Sequence, residues 1–491
     1  MKRAHFVGIC GTGMGALAML FQDVGWEVSG SDAAFDPPIG PALEARGIKC
    51  LRGYDAGHLT SAPDLVIVGN VIRKDNPEAI FTRETKLNAQ SMSSALREIF
   101  LKGRTPLVVA GTHGKTTTSA MCAWILESAG LSPGYFIGGL PKNFSSGAAI
   151  GSTKRKLTGA GVGGGGVTPA PFVVEGDEYD AVYWHKEPKF LDYIGVGEND
   201  VAIVTSIEHD HIDIYPDPES YDRAFERFIA TIPEKGLLVC DASDARVREI
   251  ALKQAKSRIA YYALQGDGTG SISATWLGAP APIDEKGMQP FDLYAGGVYA
   301  GRFAIGNPGA HNVRNAVGAI AACTEGFGVT IAAARTALAV FAGVKRRQDL
   351  LGEPNGVRVY DDFAHHPTAV DETLRALRAK HRGGDLWAVF EPRSATACRN
   401  LHQDAYATAF SSANHVIFAP LGRASLAPDE RLDIDRLTTA IGPHAEAAKS
   451  IDAILDRIVR EAKPGDTVAL LSNGAFGGLH ARLLQALASR S

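Results

Sequence analysis

Short apolar runs alternate with amphipathic stretches along the whole chain. Residues 5–9, 26–29 and 65–68 are strand-like, and the intervening 16–24 and 41–46 carry helical spacing. That rhythm predicts a parallel sheet wrapped in helices. It restarts at residues 106–110, which lead through a glycine-bearing turn into a helical pattern over 117–129, so a second domain is expected to begin near residue 105. Beyond it, 172–174, 201–205 and 236–240 read as strands, and the segment 271–304, richer in Gly, Tyr and Phe, reads as antiparallel. Helices are predicted over 312–324 and 331–341. A third alternation runs through 357–360, 385–390, 416–419 and 467–471. The stretch 151–171, with Gly161, Gly163, Gly164, Gly165 and Gly166, has no apolar period and reads as a flexible surface loop.

Length supports the same division, since 491 residues correspond to roughly three domains. Fifty Lys and Arg against 54 Asp and Glu give a net charge of -4, so no global basic field points to nucleic acid or an anionic membrane as partner. The six cysteines lie far apart with no C-x-x-C pair, which argues against a disulfide framework and for reduced thiols. Gly11, Gly13 and Gly15 interrupt the first apolar run, and no stretch reaches the ~20 apolar residues of a membrane span. A cytoplasmic protein, monomeric or weakly self-associating, is expected.

Two strand-to-helix turns carry chemistry. In Gly8-Ile9-Cys10-Gly11-Thr12-Gly13-Met14-Gly15 the glycines let backbone approach a pyrophosphate, and Asp32 lies at the end of the next strand, where it can meet a ribose hydroxyl. The alternative is a tight turn with no ligand. In Gly111-Thr112-His113-Gly114-Lys115-Thr116-Thr117 the Gly-Lys-Thr core is that of a P-loop, where backbone N–H groups and Lys meet phosphates and a hydroxyl holds Mg²⁺. The loop is shorter than the general pattern because Val109 occupies its first glycine position.

Two clusters follow at strand ends, Glu175-Gly176-Asp177-Glu178-Tyr179-Asp180 and Glu208-His209-Asp210-His211-Ile212-Asp213. Their oxygens suit Mg²⁺ on triphosphate, although either could be a solvated loop and the histidines could begin a zinc site. Asn312, beside His311 at a helix start, can pair with adenine or cap the helix. Lys345-Arg346-Arg347 and Asp361-Asp362-Phe363-Ala364-His365-His366-Pro367 place charge at what would be a common cleft. A nicotinamide dehydrogenase would use the first glycine turn but leave the P-loop idle. A nucleotide-binding regulator would keep the P-loop but give no reason for the acid and histidine clusters.

The ordered set G-T-H-G-K-T-T, E-G-D-E-Y-D, E-H-D-H-I-D, H-N-x-x-N-A, G-V-K-R-R and D-D-F-A-H-H-P resembles the Mur ligase family, ATP-dependent amide-forming enzymes of peptidoglycan metabolism, over nearly the whole chain. The resemblance implies an α/β chain of three domains. These are a Rossmann-like UDP-sugar-binding domain (1–104), a central P-loop-type ATPase domain with a parallel sheet (105–343), and a Rossmann-like C-terminal domain for the amino substrate (344–491). The first glycine motif then serves UDP, through Gly11, Thr12, Gly13, Met14, Gly15, Asp32 and Asn70. Residues 111–117 hold ATP with His311 and Asn312 at adenine, and Arg347 and Asp362 reach ATP from the far side.

On the same grounds Lys115 meets the β- and γ-phosphates, Thr116 and Glu175 hold one Mg²⁺, His209 holds a second, and His365 serves the acyl phosphate or the incoming amine. Gly8 to Thr12, Asp361 to Pro367, Glu391-Pro392-Arg393-Ser394 and Ser472 to His480 resemble the branch that joins the L-alanyl-γ-D-glutamyl-meso-diaminopimelate tripeptide to UDP-N-acetylmuramate. The alternative is the L-alanine-adding branch. Where several members carry a carbamylated lysine after Y-x-x-A, this chain has Tyr221-Asp222-Arg223-Ala224-Phe225, which removes a carbamate ligand. Arg393 with Ser394 is expected at the peptide's diaminopimelate end, because a guanidinium fork matches a carboxylate.

Overall fold

The computed structural model describes residues 1–153, 169–422 and 426–490, and the glycine-rich segment expected to be a flexible loop lies largely outside them. Three separate α/β sheets follow one another along the chain. The first has five strands, all parallel, in the spatial order Lys49–Arg52, Glu27–Asp32, Arg3–Val7, Leu65–Val68, Ala89–Ser91. The glycine turn joins Arg3–Val7 to the helix Thr12–Asp23, whose Leu17, Leu20 and Phe21 are buried against the sheet. A Cβ on Gly15 would overlap Ile39, so this position stays small for packing as much as for any ligand.

The central sheet has ten strands. Seven of them, Trp276–Pro280, Arg258–Leu264, Leu237–Asp241, Val201–Val204, Thr105–Ala110, Pro171–Glu175 and Gly134–Phe136, are parallel neighbours in that order. Gln289–Ala295 and Val298–Ile305 extend one edge antiparallel, as the sequence of 271–304 suggests. Such strands, covered on both faces, are almost wholly apolar, as in Val201–Val204 and Leu237–Asp241. The helix Lys115–Ser128 packs closely on Ala310–Phe327, where Cys323 Sγ approaches the Cys122 carbonyl at 3.8 Å. Small residues such as Ala316, Ala319 and Ala322 on the second helix permit that approach.

The C-terminal sheet runs Asp349–Gly352, Arg358–Asp362, Thr467–Leu471, Leu386–Phe390, His415–Phe418, Ala445–Ala447, with only the first strand antiparallel. The sheets are tied by side chains. Arg97 of the first unit donates from Nη1 to the Asp192 and Ile194 carbonyls and from Nη2 to the Gly195 carbonyl, at 2.8, 3.0 and 2.8 Å, and Ser93 donates to Asp192 at 2.6 Å. On the other side, Thr368 donates to both Glu208 oxygens at 3.0 Å, and Lys142 pairs with Asp349 at 2.5 Å. Among the described residues no helix is long and apolar enough to cross a membrane.

Candidate active site

Parallel sheets gather ligands where strands end and the chain order reverses about a central strand. Thr105–Ala110 is that strand here, with Val201–Val204 on one side and Pro171–Glu175 on the other, so three neighbouring strand ends deliver the P-loop and both acid clusters to one place. They border a cleft of about 300 Å³, closed from the opposite side by residues following strand Arg358–Asp362.

Gly111 at φ 129° and Gly114 at φ 77° give the loop its shape, conformations that favour glycine. A Cβ at Gly114 would overlap the Asn315 amide. Thr112 donates to the Glu208 carbonyl at 2.8 Å, His113 N donates to Ser206 Oγ at 3.1 Å, and Thr117 lines the cleft. Lys115 Nζ donates to the Gly111 carbonyl at 2.6 Å and to Glu178 Oε1 at 2.9 Å. Burial works against the ammonium, but Glu178 outweighs it and holds Lys115 above its usual range. Glu178, itself buried, is kept below the usual carboxylate range by Lys115 and His211.

Thr116 Oγ1 donates to Glu175 Oε1 at 2.7 Å, and Gly138 N donates to Glu175 Oε2 at 2.6 Å. Across the cleft Arg347 Nη2 reaches Thr116 Oγ1 at 3.3 Å while its guanidinium lies over the Phe363 ring, 5.0 Å from its centroid. Asp362, with its pKa raised by burial despite Arg347, accepts from Gln348 N at 2.7 Å and Ala364 N at 2.8 Å. His311 stands 3.1 Å from the Gln348 amide, and the Asn312 amide donates to the Pro308 carbonyl at 3.1 Å; Asn312 does not cap the helix, whose N-cap is Gly309 with no side-chain cap bond. A second hollow of about 370 Å³, bordered by Asp241, Tyr262, Arg314 and Asn315, continues from His113, Gly114 and His311.

His209 departs from expectation. Its Nε2 lies 2.8 Å from the Tyr215 carbonyl and it does not border the cleft, whereas His211 does. Residues two apart on an extended strand share a face, so sequence spacing does not separate the two histidines. The left-handed backbone at His211, φ 53°, does, by turning its ring to Glu178 at 3.1 Å. His211 is held above its ordinary pKa because Glu178 outweighs burial. Asp210 is held low, against burial, by His211 and by His365, whose Nε2 is 3.9 Å away. Burial lowers the His365 pKa below its ordinary value, against the pull of Asp210. Glu178 and Asp210 were not singled out in the sequence, and their place in the motifs of two adjacent strand ends is the signal that could have found them.

The remaining expected residues lie outside the cleft. Arg393 is half exposed, 3.7 Å from Glu391, and packs on Gly474 beside the cleft residue Asn473, while Ser394 Oγ accepts from Ala397 N at 2.9 Å. Gly11, Thr12 and Asn70 are exposed at the end of the first sheet, and a Cβ at Gly13 would come 2.8 Å from Met92 Sδ. Met14 is buried in the core. The Asp32 carboxylate is occupied by the turn itself, accepting from Cys10 N at 2.8 Å and Ala33 N at 2.7 Å. Phe225, which follows Tyr221-Asp222-Arg223-Ala224 at the position considered for a carbamate, is buried in the core with its ring 5.2 Å from that of Tyr221.

Three family models match in order: "Mur ligase family, catalytic domain" over residues 3–104, "Mur ligase middle domain" over 187–323 and "Mur ligase, glutamate ligase domain" over 346–474. The chain belongs to the Mur ligase family. It is a ligase with the three-domain α/β fold of that family. It is 36% identical over 490 residues to UDP-N-acetylmuramate–L-alanyl-γ-D-glutamyl-meso-2,6-diaminoheptandioate ligase of Escherichia coli K12, covering 100% of this chain and 99% of the relative. UDP-N-acetylmuramate–L-alanine ligase of Paenarthrobacter aurescens is 33% identical, covering 96% and 94%. Among solved structures, a murein peptide ligase from Psychrobacter arcticus superposes with a TM-score of 0.71 at 33% identity, over 100% of this chain and 99% of that one.

Proposed function

We propose that this Mur ligase joins the L-alanyl-γ-D-glutamyl-meso-diaminopimelate tripeptide to UDP-N-acetylmuramate at the expense of ATP, a reaction that reuses cell-wall peptide. The observation that carries the reading is the convergence of Lys115, Thr116–Glu175 and His211 at three neighbouring strand ends, facing Arg347, Asp362 and His365 of the last domain. Likeness along the full length to a ligase named for that tripeptide supports the choice of amine. Domain limits of 1–104, 105–343 and 344–491 fit the three sheets.

In this reading the muramoyl carboxylate attacks the γ-phosphorus, ADP leaves, and the alanyl amine attacks the resulting acyl phosphate, forming the amide and releasing phosphate. The carboxylate needs this activation because it is a poor electrophile. Lys115 leaves its carbonyl and Glu178 partners to meet the β- and γ-phosphates, and Arg347 faces the transferred group from the opposite domain. Thr116 and Glu175 offer the hard oxygens that suit Mg²⁺, and His211, rather than His209, is placed for a second ion. Bound there, Mg²⁺ would neutralise phosphate charge. The nucleoside extends past His311 and Asn312 towards the second hollow. His365, whose Nε2 is 3.9 Å from Asp210, takes the proton lost by the amine.

The first glycine turn, with Asp32 bracing it, seats the UDP moiety, and Arg393 with Ser394 meets the far end of the peptide. Phosphate release with ATP, Mg²⁺ and UDP-N-acetylmuramate, with either tripeptide or L-alanine added and the product weighed by mass spectrometry, tests the proposal. A UDP-muramoyl-tripeptide formed only with peptide supports it. Turnover with L-alanine alone would assign the first amino-acid addition, as the 33% identical relative's name suggests.

A further inference from the structure

On the wall of the cleft, which His113 and His366 both line, and apart from the Thr116–Glu175 pair, three potential ligands meet at the boundary between the central and C-terminal domains. His113 comes from the P-loop, Glu208 from the end of strand Val201–Val204, and His366 from the turn after strand Arg358–Asp362. One donor atom from each lies within 4.8 Å of the others. Glu208 Oε2 is 2.7 Å from His113 Nε2 and 3.7 Å from His366 Nδ1. Tetrahedral donors on zinc stand about 3.4 Å apart, so both Glu208 spacings lie within a fraction of an ångström of a coordination shell.

His366 supplies a second, independent observation. Its side chain is 4% exposed, yet neither ring nitrogen has a hydrogen-bond partner among the described residues. Burying an imidazole without partners is costly, and a bound ion offsets that cost. His402, whose Nε2 is likewise buried without a partner, packs its ring 4.5 Å from that of His366.

We propose that His113, Glu208 and His366 form a site for a borderline first-row cation such as Zn²⁺, which clasps the P-loop to the C-terminal domain. Two imidazoles and one carboxylate select such an ion over Mg²⁺, which prefers oxygen. The ion replaces the proton shared by His113 and Glu208 and draws His366 onto the same centre. This inference does not rest on the ligase reading, because it concerns metal uptake without substrates.

The test is Co²⁺ titration of the full-length protein after chelator treatment, followed by visible absorption and metal analysis. One equivalent should bind with the intense absorption of a four-coordinate site, survive excess Mg²⁺ and be displaced by Zn²⁺. His366→Ala and Glu208→Gln should each weaken Co²⁺ binding at least tenfold, and Glu175→Gln should change it less than twofold. Melting in chelator verifies that each variant is folded; if His366→Ala is not, the near-isosteric Glu208→Gln decides. Absence of uptake, displacement by Mg²⁺, unchanged affinity in the folded clasp variants, or loss in Glu175→Gln would each overturn the proposal.

Discussion

Replacing Lys115 by methionine removes a charge while keeping most of the side chain's volume. The ammonium lies 2.9 Å from Glu178 Oε1, and Glu178 is only 1% exposed. Breaking a buried pair by deleting one partner costs about 3–5 kcal/mol. His211, 3.1 Å from the same oxygen, retains part of the compensation, so the lower end, about 3 kcal/mol, is expected. For a unit the size of the central domain that corresponds to a fall of about 6–12 °C in its melting midpoint.

The pH dependence carries a sign. With Lys115 present, Glu178 has a lowered pKa, so it contributes stability above its unfolded value near 4.5, and that contribution is lost as pH falls through the lowered folded value. Without Lys115, burial raises Glu178, and the penalty opens above ~4.5 and deepens as pH rises. The gap between the two proteins should therefore be larger at pH 8 than at pH 5. Differential scanning calorimetry at both values measures it. Equal gaps, or a gap below about 1 kcal/mol at pH 8, would refute the assignment of the pair as a buried, energetically coupled contact.

The same variant should form no amide product while binding UDP-N-acetylmuramate normally by calorimetry, and wild-type turnover would sink the P-loop role. Gly114→Ala, which needs a left-handed alanine and displaces Asn315, should weaken ATP at least tenfold in equilibrium binding. The His366 pKa is lowered to about 3 by burial and by the neighbouring His113. An unfolded histidine near 6.5 binds its proton first, so stability falls as pH drops from about 6.5 towards 3, by at most about 4–5 kcal/mol. Chemical denaturation of metal-free wild type and His366→Leu, both in chelator, should show a shallower slope in the variant across that window. Arg393→Ala should raise KM for tripeptide about tenfold with kcat nearly unchanged, in steady-state assays; an unaltered KM removes Arg393 from the peptide site.

Much of this was legible from residue order. Apolar strands such as Leu65–Val68 and Thr467–Leu471 are short and bounded by polar turns, and the Gly-Lys-Thr core carries its own strand-to-helix context. The hidden part depends on backbone turns and on contacts distant in sequence. Nothing in Glu208-His209-Asp210-His211 says which ring enters the cleft until φ at His211 is known. Asp32 sits where a ribose-binding acid is expected, yet its oxygens hold Cys10 and Ala33, because the tight turn creates donors that spacing does not reveal. The meeting of Glu208 with His366 joins residues 158 positions apart on different sheets, beyond the reach of any local pattern.

The three Arg97 bonds to the carbonyls of residues 192, 194 and 195 bear on which junction of the chain can drift in sequence without coming apart. They fasten the glycine-turn unit to the P-loop unit through backbone atoms, which no side-chain substitution at those acceptor positions deletes. The junction between the glycine turn's unit and the P-loop's unit therefore tolerates change at residues 192, 194 and 195. Across the other junction the Thr368–Glu208 and Lys142–Asp349 contacts join side chain to side chain, so single substitutions there can loosen the face that carries Arg347, Asp362 and His365 while the first junction stays fastened.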